Sequence, residues 1–571
     1  MMSDEALKAT LEKITNQMRS GKDLAGLVQE LLNVVEELHG ELQRSRERIE
    51  FLEGELKKRR RGKSSDSGSD NSDSGESGKG GGNGARKNHS SEKRRKGKGQ
   101  DEPNKHHGRT SKAELTVHET RRCGLDKSEL PGDAQYKGID RMVVRDLIIQ
   151  EWNIEFEREV YYSPSEGKRY MAELPKGWQG EFGPTLKTAV VALKYDGGMS
   201  ESGIVRFLQG HGIKISSGSV SNLLLDAGEF FHGERKEILR QGYLSSGYAQ
   251  SDDTSAKVMG AHWNTHIVCN ENFTAYFTRT GKDRMTVVDV LLGREANGRL
   301  YRYTPLSEEL LEIFEVSQKQ RDRLAELVET GHDYDEQALN TLLAGQFGEK
   351  AGSAQAATRI REAMALGYFY EQDTMAFPLT LITDGAPQYE LLSFHHAACW
   401  IHDGRHYEKL DPLTEDFRIK LEGFRKRYWK YYHELSDWRE TPEGERDPCD
   451  ASRLEKKFDR LFGTRTGYRE LDERIAKTLA KKEKLLVVLE DPRVPLHNNA
   501  SELGARRAAR RRDISLHSRS EKGVDAMDTL TTIVETCRKV GVRVAGYIYD
   551  RFCGLSSEEG LPARIAEAST C

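Results

Sequence analysis

Three acidic residues stand where the surrounding sequence offers little structural reason for a carboxylate. Asp252 interrupts the first of three predicted strands, although aspartate is disfavoured inside strands. Asp384 ends the apolar run FPLTLITDG, as expected of a buried strand that presents a carboxylate at its C-terminal end. Glu502 opens a helical run rich in arginine. Three such carboxylates can hold two divalent ions about 3.5 to 4 Å apart, which predicts metal-dependent phosphoryl transfer with Mg²⁺ or Mn²⁺.

The stretch HNNASELGARRAARRRD, residues 497–513, allows two interpretations. In the structural one, Asn499 and Glu502 form a capping box, and Glu502 pairs with Arg506 one turn later. In the functional one, Glu502 binds metal and the arginines lie beside a phosphodiester backbone. The arginines predicted to contact DNA are Arg506, Arg507, Arg510, Arg511 and Arg512.

Cys399, His402 and His406 fall within the stretch HHAACWIHDGRH, whose residue types suggest a zinc site. Zinc would need a fourth ligand and usually a second cysteine pair, so the sequence predicts no zinc here. A helix after Asp384 would instead bring His402 near the acids, where it could contact a scissile phosphate or a water.

Strands and helices must bring these residues together. Residues 247–283 read as three consecutive strands, and residues 377–389 contain a buried strand. Charged helical stretches over about 306–366 and 394–489 separate the acids. Within the second stretch, residues 424–438 mix basic and aromatic side chains, which either bury their aromatic side or stack on splayed bases.

Upstream of the predicted sheet, the composition changes several times. Apolar residues from Val28 to Leu56 recur at steps of three and four, which predicts a self-associating coiled coil or a helix folded back on the protein's own core. Residues 57–111 are almost without apolar side chains, which is typical of a disordered tether. Residues 142–174 alternate like strands around the turn SPSEGK. Three helices follow, over 186–194, over 200–209 and from about 217, and they form either a helix-turn-helix or a structural hairpin.

The composition excludes several classes of protein. The formal net charge is −4 with 32% charged residues, so any DNA affinity must come from local basic clusters. The seven cysteines are scattered without a C-x-x-C motif, which favours a reducing compartment, and we expect a cytoplasmic protein. No stretch approaches the roughly 18 apolar residues of a membrane span, so no membrane partner is expected.

Four phrases resemble the transposases of insertion-sequence family 66, which belong to the DDE group. They are SDDT, TDGAPQY, CWIHDGR and PLHNNASELGAR, in this order along the chain. Each is weak alone, but their order makes the resemblance fairly specific over roughly residues 248–547. Leu503 and Gly404 stand where the family usually has arginine, and only Cys123 occurs where it commonly carries paired zinc-binding cysteines. A divergent branch without a zinc ribbon is therefore predicted.

The resemblance implies an α/β fold with a ribonuclease-H-like mixed-sheet core. It implies that Asp252, Asp384 and Glu502 are the catalytic acids that bind Mg²⁺ or Mn²⁺, and that the protein cuts transposon ends and joins the freed 3′-hydroxyl to target DNA. The partners would be transposon-end DNA, target DNA, a second copy bound through the coiled coil, and accessory proteins encoded by the same element. Supporting roles are expected for Asp253, which stands where the family usually has glutamate, and for His402, Asn498 and Asn499.

The predicted domains follow from these boundaries. They are a coiled coil over 1–57, a disordered basic Ser/Gly linker over 58–113, a small β-containing module without zinc ligands over 114–180, a helix-turn-helix-like helical domain over 181–243, a transposase core over 244–545 with helical insertions near 300–370 and 391–490, and a tail over 546–571. Two alternatives to a transposase stay open at this point: a non-catalytic DNA-binding protein derived from one, and a metal-dependent nuclease that only hydrolyses.

Overall fold

The computed structural model describes residue 26, residues 28–36, 38, 40, 45, 48 and 49, and then most of the chain from 116 onward. The later ranges are 116–294 with gaps at 124, 126–130, 132–133 and 136, followed by 298–347, 355–515, 518–555 and 560–569. The predicted linker over 58–113 and most of the predicted coiled coil lie outside these residues.

The strands and helices of residues 116–569 are numbered in chain order. The strands are β1 Val160–Ser163, β2 Lys168–Met171, β3 Tyr248–Val258, β4 Ala261–Cys269, β5 Thr274–Arg279, β6 Leu300–Arg302, β7 Asp333–Asp335, β8 Thr380–Thr383 and β9 His395–Ala398. The helices are α1 Pro184–Val191, α2 Glu201–Gly210, α3 Ser217–Ser246, α4 Arg284–Leu291, α5 Pro305–Ile313, α6 Gln318–Leu327, α7 Glu336–Phe347, α8 Gln355–Glu371, α9 Trp400–Glu408, α10 Glu415–Glu440, α11 Pro448–Phe462, α12 Arg469–Leu479, α13 Lys482–Leu485, α14 Val487–Glu490, α15 Asn499–Ser515, α16 Glu521–Lys539, α17 Val544–Cys553 and α18 Gly560–Ala568.

A five-stranded mixed sheet forms the centre of the fold. Its strand order is β5-β4-β3-β8-β9, with β3, β4 and β5 antiparallel and β8 and β9 parallel to β3. The three consecutive strands and the strand before Asp384 are thereby confirmed. The strands β5 and β8 are buried along their whole length, because helices cover both faces of the sheet, and their sequences are accordingly rich in apolar and β-branched residues.

Helix α16 covers the open edge of β5 with side chains rather than with another strand. The backbone N–H groups of Thr274, Tyr276 and Thr278 donate to Thr536 Oγ1, Thr532 Oγ1 and Asp528 Oδ2 at 3.3, 3.0 and 2.5 Å. Four helical residues rise about 6 Å, and two strand residues span about 6.7 Å, so the two spacings match. The edge donors are therefore satisfied.

The three helices before the sheet occur where the sequence predicts them, but they do not form a separate domain. Helix α3 runs 30 residues, far beyond a recognition helix, and ends at Ser246 directly before β3. Val220 and Phe231 on α3 lie in the same hydrophobic cluster as Val268 and Phe277 of the sheet. The predicted boundary at residues 243 and 244 therefore divides one continuous core.

The predicted tail over 546–571 is also wrong for its described residues. Helix α17 begins before it, and helix α18 packs against α3 with Leu561 and Ile565 fully buried. The four-residue spacing of these two apolar side chains places them on one helical face, and burial of that face orders the segment.

The module before α1 contains less β structure than its alternation suggests. Strands β1 and β2 pair as an antiparallel hairpin around the predicted turn. Residues 137–159 have no regular secondary structure, and Leu147, Ile148 and Trp152 are exposed. The prediction of strands upstream of residue 160 is therefore wrong. Alternation alone does not form a strand when no neighbouring strand supplies hydrogen bonds.

The two insertions between the acids pack differently. Elements β6 to α8 bury their apolar side chains in the main cluster, whereas α9 to α14 form a second, aromatic cluster around Trp400. In α10 the side chains of Phe424, Tyr428, Tyr431 and Tyr432 are buried in this cluster. These four rings are therefore not available to stack on bases, whereas Trp429 and Trp438 are only partly buried.

Residues 28–36 are helical and contact the second insertion through polar side chains. Asn33 Nδ2 donates to the carbonyl of Gly467, Asn33 Oδ1 accepts from the N–H of Arg469, and Glu36 Oε1 accepts from the N–H of Leu413. The heptad residues Val28 and Val35 remain about half exposed, at 50% and 53%. The segment is therefore folded back on the protein, while Val28 and Val35 of the heptad pattern remain exposed.

Among the helices of the described residues, none combines the length and the apolar composition that crossing a bilayer requires.

Candidate active site

Asp252 and Asp384 lie on neighbouring parallel strands. Strand β3 pairs with β8 so that Gln250 is opposite Ile382. Continuing this register by two residues puts Asp252 opposite Asp384, and adjacent strands lie about 4.8 Å apart. Gly385 follows with a φ of 85°, which turns the chain sharply away after the carboxylate. Asp384 is exposed at this end of the strand.

The first turn of α15 lies on the same face of β3 as Asp252. Asn498 Nδ2 donates to the carbonyl of Ser251 at 2.8 Å, and Gln250 Oε1 accepts from the N–H of Ala500 at 3.1 Å. Asn498 is fully buried. These two contacts fix the helix start against the strand, and Glu502 follows within the first turn.

Gly504 allows this close approach of helix and sheet. A Cβ at residue 504 would lie 2.8 Å from Cγ2 of Ile267, the residue opposite Asp252 in the β3–β4 pair. Ala500, Ala505 and Ala508 fill the rest of the contact. Small side chains on one face of α15 therefore decide how near Glu502 comes to the strand acids.

The electrostatics of Asp252 show that the three acids influence one another. Burial is the largest cause that raises the pKa of this carboxyl to about 7; the charges of Asp384, Asp253 and Glu502 contribute to the rise, while an N–H of Asp253 opposes it. A buried carboxylate with acidic neighbours favours either a proton or a cation. Three hard oxygen donors near one another suit Mg²⁺ or Mn²⁺, so the side chains present fit these ions.

Glu502 interacts with helix α9. Its Oε1 lies 3.7 Å from His402 Nδ1, and its Oε2 lies 3.4 Å from Arg405 Nη2. Burial lowers the pKa of His402, while the charge of Glu502 opposes that shift. Among the described residues, neither a capping bond from Asn499 nor an ion pair with Arg506 holds Glu502, so its contacts are not those of the structural interpretation.

Helix α9 is clamped on its other face to the second insertion. Asp403, 3% exposed, pairs with Arg474 of α12 and accepts from Thr478 Oγ1 at 2.8 Å. A Cβ at Gly404 would lie 2.8 Å from the ring of Trp429, so this close packing favours glycine at residue 404. The insertion thereby positions His402 and Arg405 beside Glu502.

Cys399 precedes α9 and joins it to the segment before Glu502. Its Sγ accepts from the N–H of Asn498 at 3.3 Å. Burial raises the pKa of this thiol to about 11, although N–H groups of His402, Asn498 and Ile401 oppose the shift. The thiol and the imidazole of His402 are therefore near the acids, whereas no metal-ligand contact joins them to His406 within the described residues.

The five arginines of α15 divide into two groups. Arg507 pairs with Glu535, Arg511 donates to Thr531 and lies over the ring of Tyr195, and Arg512 donates to Ser255. Arg506 and Arg510 are exposed and have no ion pair within the described part of the chain. Only these two are free to contact an external anion without breaking an internal contact.

Asp253 and Tyr389 border the acids without sharing their face. Asp253 is opposite His266 on β4, on the sheet face that α15 does not cover. Tyr389, from the phrase TDGAPQY, is 2% exposed, and burial raises its pKa while the charges of Asp253, Asp252 and Asp384 add to the shift. Gln250, Tyr389 and Arg405 were not singled out from the sequence, although the last two fall within the quoted motifs.

Comparisons with known proteins address the same segment. Residues 356–526 match the sequence model of a family described as "Transposase IS66 family". The "Uncharacterized protein y4jO" of Sinorhizobium fredii (strain NBRC 101917 / NGR234) is 29% identical over 327 residues, which are 57% of this chain and 97% of that protein. No solved structure matches the chain. Over residues 356–526, which include Asp384, His402 and Glu502, the chain therefore matches the transposase IS66 family that its motifs resemble.

Proposed function

We propose that this protein is a DNA transposase that cleaves strands at transposon ends and transfers the freed 3′-hydroxyl to target DNA. The observation that carries the proposal is the convergence of Asp252, Asp384 and Glu502 from two adjacent strands and one helix start. The strand order of the sheet, with three antiparallel strands followed by two parallel ones, is consistent with a ribonuclease-H-like core.

The three carboxylates would hold Mg²⁺ or Mn²⁺. When bound, two such ions activate a water or 3′-hydroxyl and stabilise the leaving oxygen of a phosphodiester. Asn498 keeps Glu502 against the strand acids through its bond to Ser251. His402 and Arg405, which contact Glu502, would hold the glutamate in place and face the phosphate. Phosphoryl transfer needs such positioning and charge neutralisation more than covalent catalysis.

DNA would lie along the exposed face of α15. Arg506 and Arg510 are one turn apart and can neutralise successive phosphates, whereas the other three arginines hold α15 to its neighbours. We expect transposon-end DNA and target DNA as partners, together with accessory proteins encoded by the same element.

Self-association through the N-terminal heptads remains part of this proposal. The exposure of Val28, Val35 and Leu38, at 50%, 53% and 43%, leaves one stripe of the helix available to a second copy. Replacing Val35 and Leu38 with glutamate should convert the full chain to monomers in light scattering. An unchanged mass would exclude this dimer interface.

A cleavage assay tests the main proposal. The full chain is incubated with Mg²⁺ and a duplex that carries the inverted repeats bordering its gene, and nicked and joined products are separated. We expect both products from the parent and from Asp373→Asn, an exposed control, and neither from Asp384→Asn. Binding without nicking by the parent would favour the non-catalytic alternative, and nicking without joined product would favour the nuclease.

A further inference from the structure

Glu502 belongs to a second group of metal-ligating side chains. Cys399 immediately precedes α9, His402 lies in its first turn, and Glu502 lies in the first turn of α15. One ligand atom of each residue lies within 4.8 Å of the others. The two helix starts therefore bring a thiol, an imidazole and a carboxylate together at Glu502.

The separation of two of these ligand atoms matches that around a small tetrahedral ion. Bonds of about 2.0 to 2.3 Å from zinc to nitrogen, oxygen and sulfur put neighbouring ligand atoms roughly 3.3 to 3.8 Å apart. His402 Nδ1 and Glu502 Oε1 are separated by 3.7 Å. The same Nδ1 is buried and makes no hydrogen bond, so it can bind a metal ion without breaking a hydrogen bond.

The donor set selects a different metal from the one that the three acids select. Thiolate and imidazole ligands favour zinc or cobalt over magnesium, and three protein ligands leave one tetrahedral position for water. The strand acids offer only oxygen. The Cys399–x–x–His402 spacing also places one ligand directly before α9 and the other in its first turn, and short ligand spacings of this kind are common in zinc proteins.

We infer that Cys399, His402 and Glu502 form a zinc site that competes with the magnesium site for Glu502. This inference departs from the sequence-based expectation of no zinc, because the third ligand comes from a helix about one hundred residues away in the chain. Its inhibitory consequence rests on the proposed function: zinc would draw Glu502 away from Asp252 and Asp384 and stop strand cleavage.

Two local changes would accompany zinc binding. Coordination deprotonates the Cys399 thiol, since zinc binds the thiolate. Arg405, which lies 3.4 Å from Glu502 and donates to His402 Nε2 at 3.3 Å, would leave both side chains. Its side chain is one third exposed, at 33%, so it can turn toward solvent.

Cobalt spectroscopy of the full chain tests the site without any measurement of activity. Co²⁺ replaces zinc and gives a thiolate charge-transfer band in the near ultraviolet together with intense tetrahedral bands in the visible. We expect both in the parent and in Cys449→Ser, which removes an exposed cysteine elsewhere. Cys399→Ser should abolish the charge-transfer band, and His402→Gln should weaken cobalt binding at least tenfold. A parent without the band, or a band that persists in Cys399→Ser, would overturn the inference.

Zinc inhibition tests the competition for Glu502. Each variant's Mg²⁺-dependent cleavage is measured against its own zinc-free rate, and Cys399→Ser should need at least tenfold more Zn²⁺ for half inhibition than the parent or Cys449→Ser. Equal inhibition of all three would show that zinc acts elsewhere. If the parent cleaves no DNA at all, the proposed function fails, while the cobalt spectrum still decides whether the zinc site exists.

Discussion

Replacing Asp252 with asparagine should make the metal-free protein more stable at pH 8 and leave its stability unchanged near pH 4. The pKa of Asp252 is raised from 3.8 to about 7, with burial as the largest cause. Below pH 3.8 the carboxyl is protonated in both the folded and the unfolded chain, so it has no differential effect. Between pH 3.8 and pH 7 the folded state keeps a proton that the unfolded chain has lost, so the folded state is destabilised progressively across this window and by a constant amount above pH 7.

The magnitude follows from the size of this shift. A difference of about three pKa units corresponds to roughly 4 kcal/mol, which is the upper limit of the destabilisation above pH 7. Asparagine has the same shape and no charge, so Asp252→Asn should recover most of this free energy in EDTA at pH 8. The parent, but not the variant, should be stabilised by added Mg²⁺, because bound cation neutralises the same charge.

Thermal unfolding in EDTA, followed by calorimetry at pH 5 and pH 8, measures the effect. We expect the variant to melt several degrees above the parent at pH 8, with a much smaller difference at pH 5. Asp373→Asn is the control, because Asp373 is exposed and lies on a loop after α8. An equal shift at both pH values, or a variant that is less stable at pH 8, would refute the argument that burial and charge repulsion strain this site.

Three further substitutions test other parts of the structure. Gly504→Ala puts a Cβ 2.8 Å from Ile267, so it should lower the free energy of unfolding by about 1–3 kcal/mol, measured by denaturant unfolding, and impair cleavage. A variant with unchanged stability and full cleavage activity would contradict the proposed role of close packing. Arg474→Met leaves Asp403 buried without its ion-pair partner, which should lower the free energy of unfolding by about 3–5 kcal/mol. Limited proteolysis should therefore cut the second insertion faster, and an unchanged rate of cutting would argue against the proposed anchoring of α9. The double variant Arg506→Ala with Arg510→Ala should reduce the slope of log affinity against log salt concentration by about 2 in DNA-binding titrations. Arg507→Ala should lower the stability of the protein and leave this slope unchanged. The opposite pattern would mean that α15 presents its other face to DNA.

Local patterns in the sequence were sufficient to predict the strands that carry the acids and the helix that carries Glu502. Asp252 stands out because aspartate is unfavourable inside a strand, and Asp384 stands out because it ends an apolar run. The order of the motifs then indicated a resemblance to the transposases of insertion-sequence family 66. These signals are local, and each can be read without knowing what packs against the segment.

Contacts between distant segments could not be predicted in this way. The sequence shows that Arg507 and Arg511 share one face of a helix and that Arg506 and Arg510 share another, but not which face meets α16. The role of Arg405 depends likewise on Asp403, whose partner Arg474 belongs to another helix of the insertion. The wrongly predicted strands before residue 160 have the same origin, because a strand requires a neighbour that the alternation does not reveal.

The side-chain cover on β5 has a consequence for how the chain can be shortened. An unpaired strand edge is a template for pairing with other chains, and α16 blocks it by supplying Thr532, Thr536 and Asp528 as acceptors. A chain cut before residue 521 would keep all five strands of the sheet but would expose that template. We expect such a fragment to aggregate through intermolecular strand addition, even where Asp252, Asp384 and Glu502 are intact.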